Sequence, residues 1–212
     1  MTTTADEFAH ELAAHASRYD VQLPPASIAR LTSYFQLVSA WNARLHLVAP
    51  CAPAEFVTRH VLESLAALRF LSTGAHVVDV GSGAGLPIIP CLIVRADLRA
   101  TLIEAATKKA VFLREALSRL ELRAQTQVRA ERFEQMNALA ADFITCRALE
   151  RFTEMLPRLV AWSPPKATLL LFSGPALREK IEQLALAYDA VQLPETERRF
   201  LFVIKREPNK TG

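Results

Sequence analysis

Val77-Val78-Asp79-Val80-Gly81-Ser82-Gly83-Ala84-Gly85-Leu86-Pro87 decides the fold of this chain. A short apolar run ends in an acid, three glycines alternate, and a proline opens the next apolar segment. The pattern reads as strand, tight loop, helix. Glycine lets the backbone take positive φ and approach a ligand closely. Proline suits the first helical turn, where its missing N–H is not needed. A loop of this kind after a first parallel strand builds a nucleotide-type site at the carboxyl end of a sheet. Dinucleotide folds space their glycines G-x-G-x-x-G to seat a pyrophosphate on the helix N-terminus. Here the spacing is G-x-G-x-G, directly after an acid. A purely structural turn would not need three glycines, each of which costs chain entropy.

Outward from this segment the chain has two textures, divided near Gly74. Before it the pattern is helical. Phe8, Leu12 and Tyr19 suit one face of a first helix that stops near Pro24-Pro25, and Ile28, Leu31, Phe35 and Val38 recur at helical spacing in a second. A third runs from about Pro53 to Leu71, with Phe56, His60, Leu62 and Leu65 inward and Arg59 and Glu63 spaced to pair. After Gly74, candidate strands are His76–Val80, Ala100–Glu104, Ala124–Val128, Asp142–Cys146, Thr168–Phe172, Ala187–Leu193 and Arg199–Lys205. Helices are expected at Pro87–Arg95, Lys108–Leu120, Ala130–Leu139, Arg151–Trp162 and Pro175–Leu186. Short apolar strands alternating with helices give a parallel α/β sheet. The connection through Pro194 is too short for a crossover helix, so the last two strands pair antiparallel. The expected organisation is an N-terminal helical extension over residues 1–73, a Rossmann-like α/β domain over 74–206, and a frayed tail over 207–212.

Composition narrows the partners. Of 212 residues, 51% are apolar, enough for a sizeable core, and the formal net charge of +3 is compatible with a polyanion without requiring one. Three cysteines without a C-x-x-C pair fit a reducing cytosol and give neither a disulfide framework nor a zinc site. The five histidines show no metal-ligand spacing, so no metal is expected. No signal peptide and no apolar run long enough to span a bilayer is visible, so the expected setting is cytoplasmic, with no membrane partner.

Candidate site residues lie at the carboxyl ends of the strands. Glu104, with Ala105 beside it, ends the second strand, where an acid accepts the hydroxyls of a ribose. Asp79 either holds a ligand amino group or orders the loop. Ala130-Glu131 follow the third strand, against an adenine ring or at an exposed helix start. After the fourth strand, Thr145-Cys146-Arg147-Ala148 lacks the Asn/Asp-Pro-Pro-aromatic motif that polarises an exocyclic amine for methylation. Cys146 is the only thiolate candidate there, although a buried strand-end cysteine is usually inert packing. Arg147 remains: a permanent cation with a rigid donor fork for a phosphate, a base oxygen or a carboxylate. Its replacement by alanine is expected to cut activity with little effect on stability. Lys108 and Lys109 open a helix against its dipole, which fits either an anion there or a solvated face.

The glycine loop resembles motif I of the S-adenosylmethionine (SAM) methyltransferases. Several further segments together resemble the GidB/RsmG family, bacterial 16S ribosomal RNA guanine-N7 methyltransferases. They are Trp41-Asn42, Arg59-His60-Val61-Leu62-Glu63-Ser64-Leu65, Asp79 to Pro90, Glu104, Lys108, Phe112-Leu113, Arg147-Ala148, Arg199 and Val203-Ile204-Lys205. The resemblance implies a SAM-binding Rossmann-like sheet with a terminal hairpin, and 16S rRNA or the small ribosomal subunit as partner. It implies methyl transfer to guanine N7 by a monomer. It places the cofactor against Asp79, Gly81, Ser82, Gly83, Gly85, Leu86, Glu104, Ala105, Ala130, Glu131 and Arg147, with Arg147 catalytic and Lys108, Lys109 and Arg199 on RNA. The chain departs from the family pattern at Ile88, Cys146, Ser173 and Phe200, where the family has glycine, serine, lysine and histidine. The rival readings are a SAM enzyme of small molecules, a non-catalytic SAM-fold rRNA-binding factor, and an NAD oxidoreductase, the last disfavoured by the glycine spacing.

Overall fold

The computed structural model describes residues 3–205. Seven strands form one sheet: β1 (His76–Val80), β2 (Arg99–Ile103), β3 (Thr126–Arg129), β4 (Phe143–Arg147), β5 (Thr168–Ser173), β6 (Asp189–Gln192) and β7 (Phe200–Ile204). Their order is β3-β2-β1-β4-β5-β7-β6. The first five are parallel, and β7 runs antiparallel between β5 and β6. The short Pro194 connection makes the expected hairpin. The hairpin's second strand fills the gap beside β5, a placement that local pattern does not specify.

Alternate residues of each strand point to opposite faces, and two cores result. Val77, Leu102, Leu170 and Leu201 face one core; Val78, Ile103, Ile144 and Leu171 face the other. The first core is covered by α1 (Thr4–His15), α2 (Pro25–Leu45), α5 (Ile88–Val94) and α6 (Thr107–Arg119). The second lies under α7 (Phe152–Trp162) and α8 (Pro175–Gln183). The N-terminal helices therefore share a core with the sheet. Phe8 stacks on Phe35 at 4.6 Å between ring centroids, and Trp41 of α2 meets Phe112 of α6 edge-on at 5.9 Å. The tail expected over 207–212 lies outside the described residues.

Two helical expectations are corrected. The segment from Pro53 is not one regular helix: α3 (Pro53–Phe56) passes into a π-helical turn at Val57–Leu62 and then α4 (Glu63–Leu65). A π turn inserts an extra residue and so rotates the side chains C-terminal to it. Arg59 consequently pairs with Glu55, and Glu63 turns inward instead of meeting Arg59. The helix expected at Ala130–Leu139 is a short 3-10 turn at Phe133–Gln135 within irregular chain. Its two apolar anchors, Phe133 and Met136, dock on the second core without helical phase, and Trp162 Nε1 donates to the Met136 carbonyl at 2.9 Å.

Candidate active site

A cavity of about 700 Å³ opens at the carboxyl edge of the sheet. It lies where the strand order reverses between β1 and β4, the place where open α/β sheets bind ligands. Its floor is Val80 and the loop from Gly81 to Ala84. One side comes from Glu104 to Ala106, Lys109 and the chain from Glu131 to Glu134; the other runs from Arg147 to Arg151. Leu47 to Ala49, Arg59 and His60 close it from the N-terminal extension.

The glycine loop is held from several directions. Gly83 N donates to Glu104 Oε2 at 2.8 Å, and Ala106 N donates to Glu104 Oε1 at 2.8 Å. One buried carboxylate thus joins the loops after β1 and β2. The Tyr34 hydroxyl donates to the Ala84 carbonyl at 2.9 Å, so α2 grips the loop from below. Gly83 sits at φ +53°, and a Cβ there would meet only the Gly81 carbonyl, at 3.8 Å. That position faces open cavity. Gly85, at φ +87°, differs: a Cβ there would collide with Ile89 Cδ1 of α5. Glycine is required at Gly85 for helix packing, and at Gly83 it leaves the cavity side open at positive φ.

Of the expected cofactor residues, Gly81, Ser82, Gly83, Leu86, Glu104, Ala105, Glu131 and Arg147 line the cavity, whereas Asp79, Gly85 and Ala130 do not. Asp79 points into the core on the α5 side. Its Oδ1 accepts from Thr145 Oγ1, its cross-strand partner, at 2.6 Å. Its other oxygen is buried with no partner, and burial pushes its pKa up to about 7. Asp79 braces β1 against β4, a role different from either of its two sequence readings, ligand contact or loop ordering. Ala130 lies outside the wall because the chain leaves β3 without forming a helix. Cys146 is fully buried, and burial holds its thiol well above the ordinary range, so it supplies no thiolate.

Arg147 is not a surface charge. Its side chain is 14% exposed and its guanidinium turns toward the N-terminal extension. Nη2 donates to the Arg59 carbonyl, lies 3.5 Å from Glu63 Oε2 and 3.4 Å from His60 Nδ1, and Nη1 reaches Ser64 Oγ at 3.5 Å. Glu63, 2% exposed, also accepts from Arg199 Nε at 2.7 Å. Burial pushes the Glu63 carboxyl up, while the guanidiniums of Arg147 and Arg199 oppose that shift. A single carboxylate from the extension therefore joins the end of β4 to the residue before β7. Arg147 thus both lines the cavity and pairs with Glu63, while Arg199, with its side chain 36% exposed, gives its Nε to the same carboxylate. Lys108 is exposed and Lys109 borders the cavity, both at the mouth side of α6.

Sequence reading missed the contributions of the extension: Tyr34 under the loop, and Leu47 to Ala49 on the rim. Asn42 braces that rim by bonding both backbone groups of Val48, each at 3.0 Å. His60, which its spacing marks only as a packing residue, both packs and lines the cavity. Its one further signal in the sequence is its place beside Arg59 and Glu63 in the family-like segment. The departures Ser173 and Phe200 are direct cross-strand partners, and Arg178 of α8 lies 4.4 Å over the Phe200 ring. Ile88 and Cys146 are fully buried packing positions. Among the described residues no group of three or more His, Cys, Asp or Glu is placed to hold a metal, and no helix is long and apolar enough to cross a membrane.

The GidB family model, described as rRNA small subunit methyltransferase G, matches residues 27–205. The ribosomal RNA small subunit methyltransferase G of Sorangium cellulosum is 38% identical over 188 residues, covering 85% of this chain and 77% of that protein. The protein of the same name from Xanthomonas axonopodis pv. citri is 37% identical over 191 residues, covering 87% and 89%. Among solved structures, the O-methyltransferase from Bacillus cereus in complex with SAH superposes with TM-score 0.63 at 18% identity, covering 94% of this chain and 100% of that one. An RNA methyltransferase from Salinibacter ruber in complex with S-adenosyl-L-homocysteine gives 0.56 at 17% identity, covering 78% and 98%. These two likenesses establish the Rossmann-like methyltransferase fold.

Proposed function

Because this chain belongs to the GidB family, rRNA small subunit methyltransferase G, we propose that it transfers a methyl group from SAM to N7 of a guanine in 16S ribosomal RNA. The partner is the RNA or the small ribosomal subunit, the setting is the cytoplasm, and the protein works as a monomer. SAM supplies an electrophilic methyl group on a sulfonium. The cavity suits it: about 700 Å³, an acid at the end of β2, and open space at Gly83 where a side chain would intrude. Glu104 would take the ribose hydroxyls with its remaining lone pairs, Ala105, Glu131 and Phe133 would border the base, and the loop from Gly81 to Ala84 would hold the amino-acid end.

The observation that carries the choice of N7 is the wall after β4. A site that methylates an amine or hydroxyl must draw off a proton. Here that position holds Arg147, a cation that cannot accept one, pinned by Glu63 and His60. Guanine N7 has an in-plane lone pair and no proton, so alignment suffices. N7 lies in the major groove, which is deep and narrow in A-form RNA, so a loop or an assembly surface is the fitting target. Lys108 and Lys109 at the rim would meet its phosphates. Mapping of 7-methylguanosine in 16S rRNA from cells with and without the gene should show one guanine that loses its modification. Unchanged modification, with another methylated nucleoside lost instead, would refute the reading.

A further inference from the structure

His60 lines the cavity and touches Arg147. Its Nδ1 lies 3.4 Å from Arg147 Nη2. A guanidinium nitrogen can only donate, so this contact is a hydrogen bond in the tautomer whose Nδ1 accepts and whose proton sits on Nε2, the form that Arg147 favours. That Nε2 has no protein partner among the described residues, yet it is not among the sealed, unsatisfied polar atoms. It is not fully sealed, and the residue that carries it lines the cavity. The ring is fixed in place by an edge contact with Phe56 at 5.0 Å between centroids, by the π-helical turn that carries it, and by Arg147. Burial, with Arg147, Arg59 and Arg199 around it, lowers its pKa to about 3, so it is a neutral donor throughout the physiological range.

We infer that His60 contacts the target base directly, its Nε2–H donating to the carbonyl oxygen O6 next to N7 of the incoming guanine. Arg147 and Glu63 act through it as positioning residues: Glu63 holds Arg147, and Arg147 favours the tautomer. The inference rests on the proposed N7 methylation and adds the residue that selects a purine with a 6-oxo group. Adenine presents an amino group there, so a fixed donor would reject it, because donor would face donor. A cation at this place would bind any phosphate or carboxylate; a neutral, locked N–H discriminates by shape and polarity.

The test is methyl transfer from labelled SAM to small ribosomal subunits isolated from cells lacking the gene, with 7-methylguanosine as readout and SAM affinity measured by calorimetry. His60→Asn retains an acceptor near Nδ1 for Arg147 but does not reach the Nε2 position. His60→Gln places an amide N–H near Nε2. The asparagine variant should lose about tenfold or more in kcat/KM, the size of one hydrogen bond to a substrate left unmade, with SAM affinity unchanged. The glutamine variant should recover most of it. His60→Phe, which keeps the ring packing without a donor, should behave like asparagine. Equal activity of wild type, asparagine and phenylalanine variants would overturn the role. So would a matching loss of SAM affinity, which would assign the donor to the cofactor. Wild-type protein that forms no 7-methylguanosine would instead refute the underlying reaction, and the two failures are thus distinguishable.

Discussion

The floor of the cavity and its N-terminal wall are built on opposite principles. The floor is local: one strand, three glycines and the acid of the neighbouring strand, held by backbone hydrogen bonds to Glu104. The wall is assembled from segments far apart in sequence and depends on a buried carboxylate shared by Arg147 and Arg199. Backbone geometry makes the floor tolerant of its surroundings but intolerant of a side chain. Buried charge makes the wall the reverse, since removing one partner leaves the others uncompensated. Damage to the floor should therefore appear in ligand binding, and damage to the wall in both stability and turnover.

The sharpest test of the floor is Gly83→Asp. Aspartate visits the left-handed region at a modest cost, and a Cβ at Gly83 makes only an ordinary contact with the Gly81 carbonyl, so the variant should fold. SAM affinity should drop by at least about a hundredfold, because an extra carboxylate would be buried in the ligand's place beside Glu104. Unchanged calorimetric affinity in a folded variant would move the cofactor elsewhere. For the wall, Arg147→Ala should reduce methyl transfer strongly and also destabilise the fold by about 3 kcal/mol by leaving Glu63 half-paired. That corresponds to roughly 6–12 °C in Tm for a chain of this size. This replaces the sequence-based expectation of an unchanged Tm. A variant that melts like wild type would show that the ion pair carries no structural load.

Glu104→Ala probes the joint between the two neighbouring loops. It should weaken SAM by about 1.5–3 kcal/mol, roughly tenfold to a hundredfold, with a smaller loss of stability as Gly83 and Ala106 lose their acceptor. Wild-type affinity would remove Glu104 from the ribose site. Asp79→Asn tests the brace beneath the floor. Folded Asp79 has a pKa of about 7 against an ordinary 3.8, so its contribution is fully present below about pH 4 and is lost as pH rises through 7. Relative to the asparagine variant, wild type should lose about 2 kcal/mol between pH 5 and pH 7. Parallel pH–stability curves would show that the carboxyl is already ionised in the fold.

The glycine loop, the alternation of strands and helices, and the terminal hairpin were legible because each is written in adjacent residues: period, glycine spacing, connection length. Glu104 was legible because a strand end is a local position with a known direction. The same logic failed where phase was lost. The π turn rotated Glu63 away from Arg59, and the chain after β3 docked through Phe133 and Met136 without a helix. Asp79, Gly85 and Ala130 stand next to the cavity in sequence but face away from it. Strand alternation turns Asp79 into the α5 core, helix packing claims Gly85, and the irregular exit from β3 carries Ala130 outside.

By itself the sequence determined the fold class, the place of the glycine loop and membership in a methyltransferase family, since all three rest on short-range patterns. Only the tertiary structure decided which acid Arg147 and Arg199 pair with. A cation at a strand end looks the same in sequence whether it meets RNA or a buried acid, and the carboxylate that claims both is Glu63, from another part of the chain. It likewise placed His60 both in the cavity wall and beside Arg147. A histidine's tautomer and reach are set by what donates to it through space, and that neighbour, Arg147, arrives only when the sheet and the extension pack together.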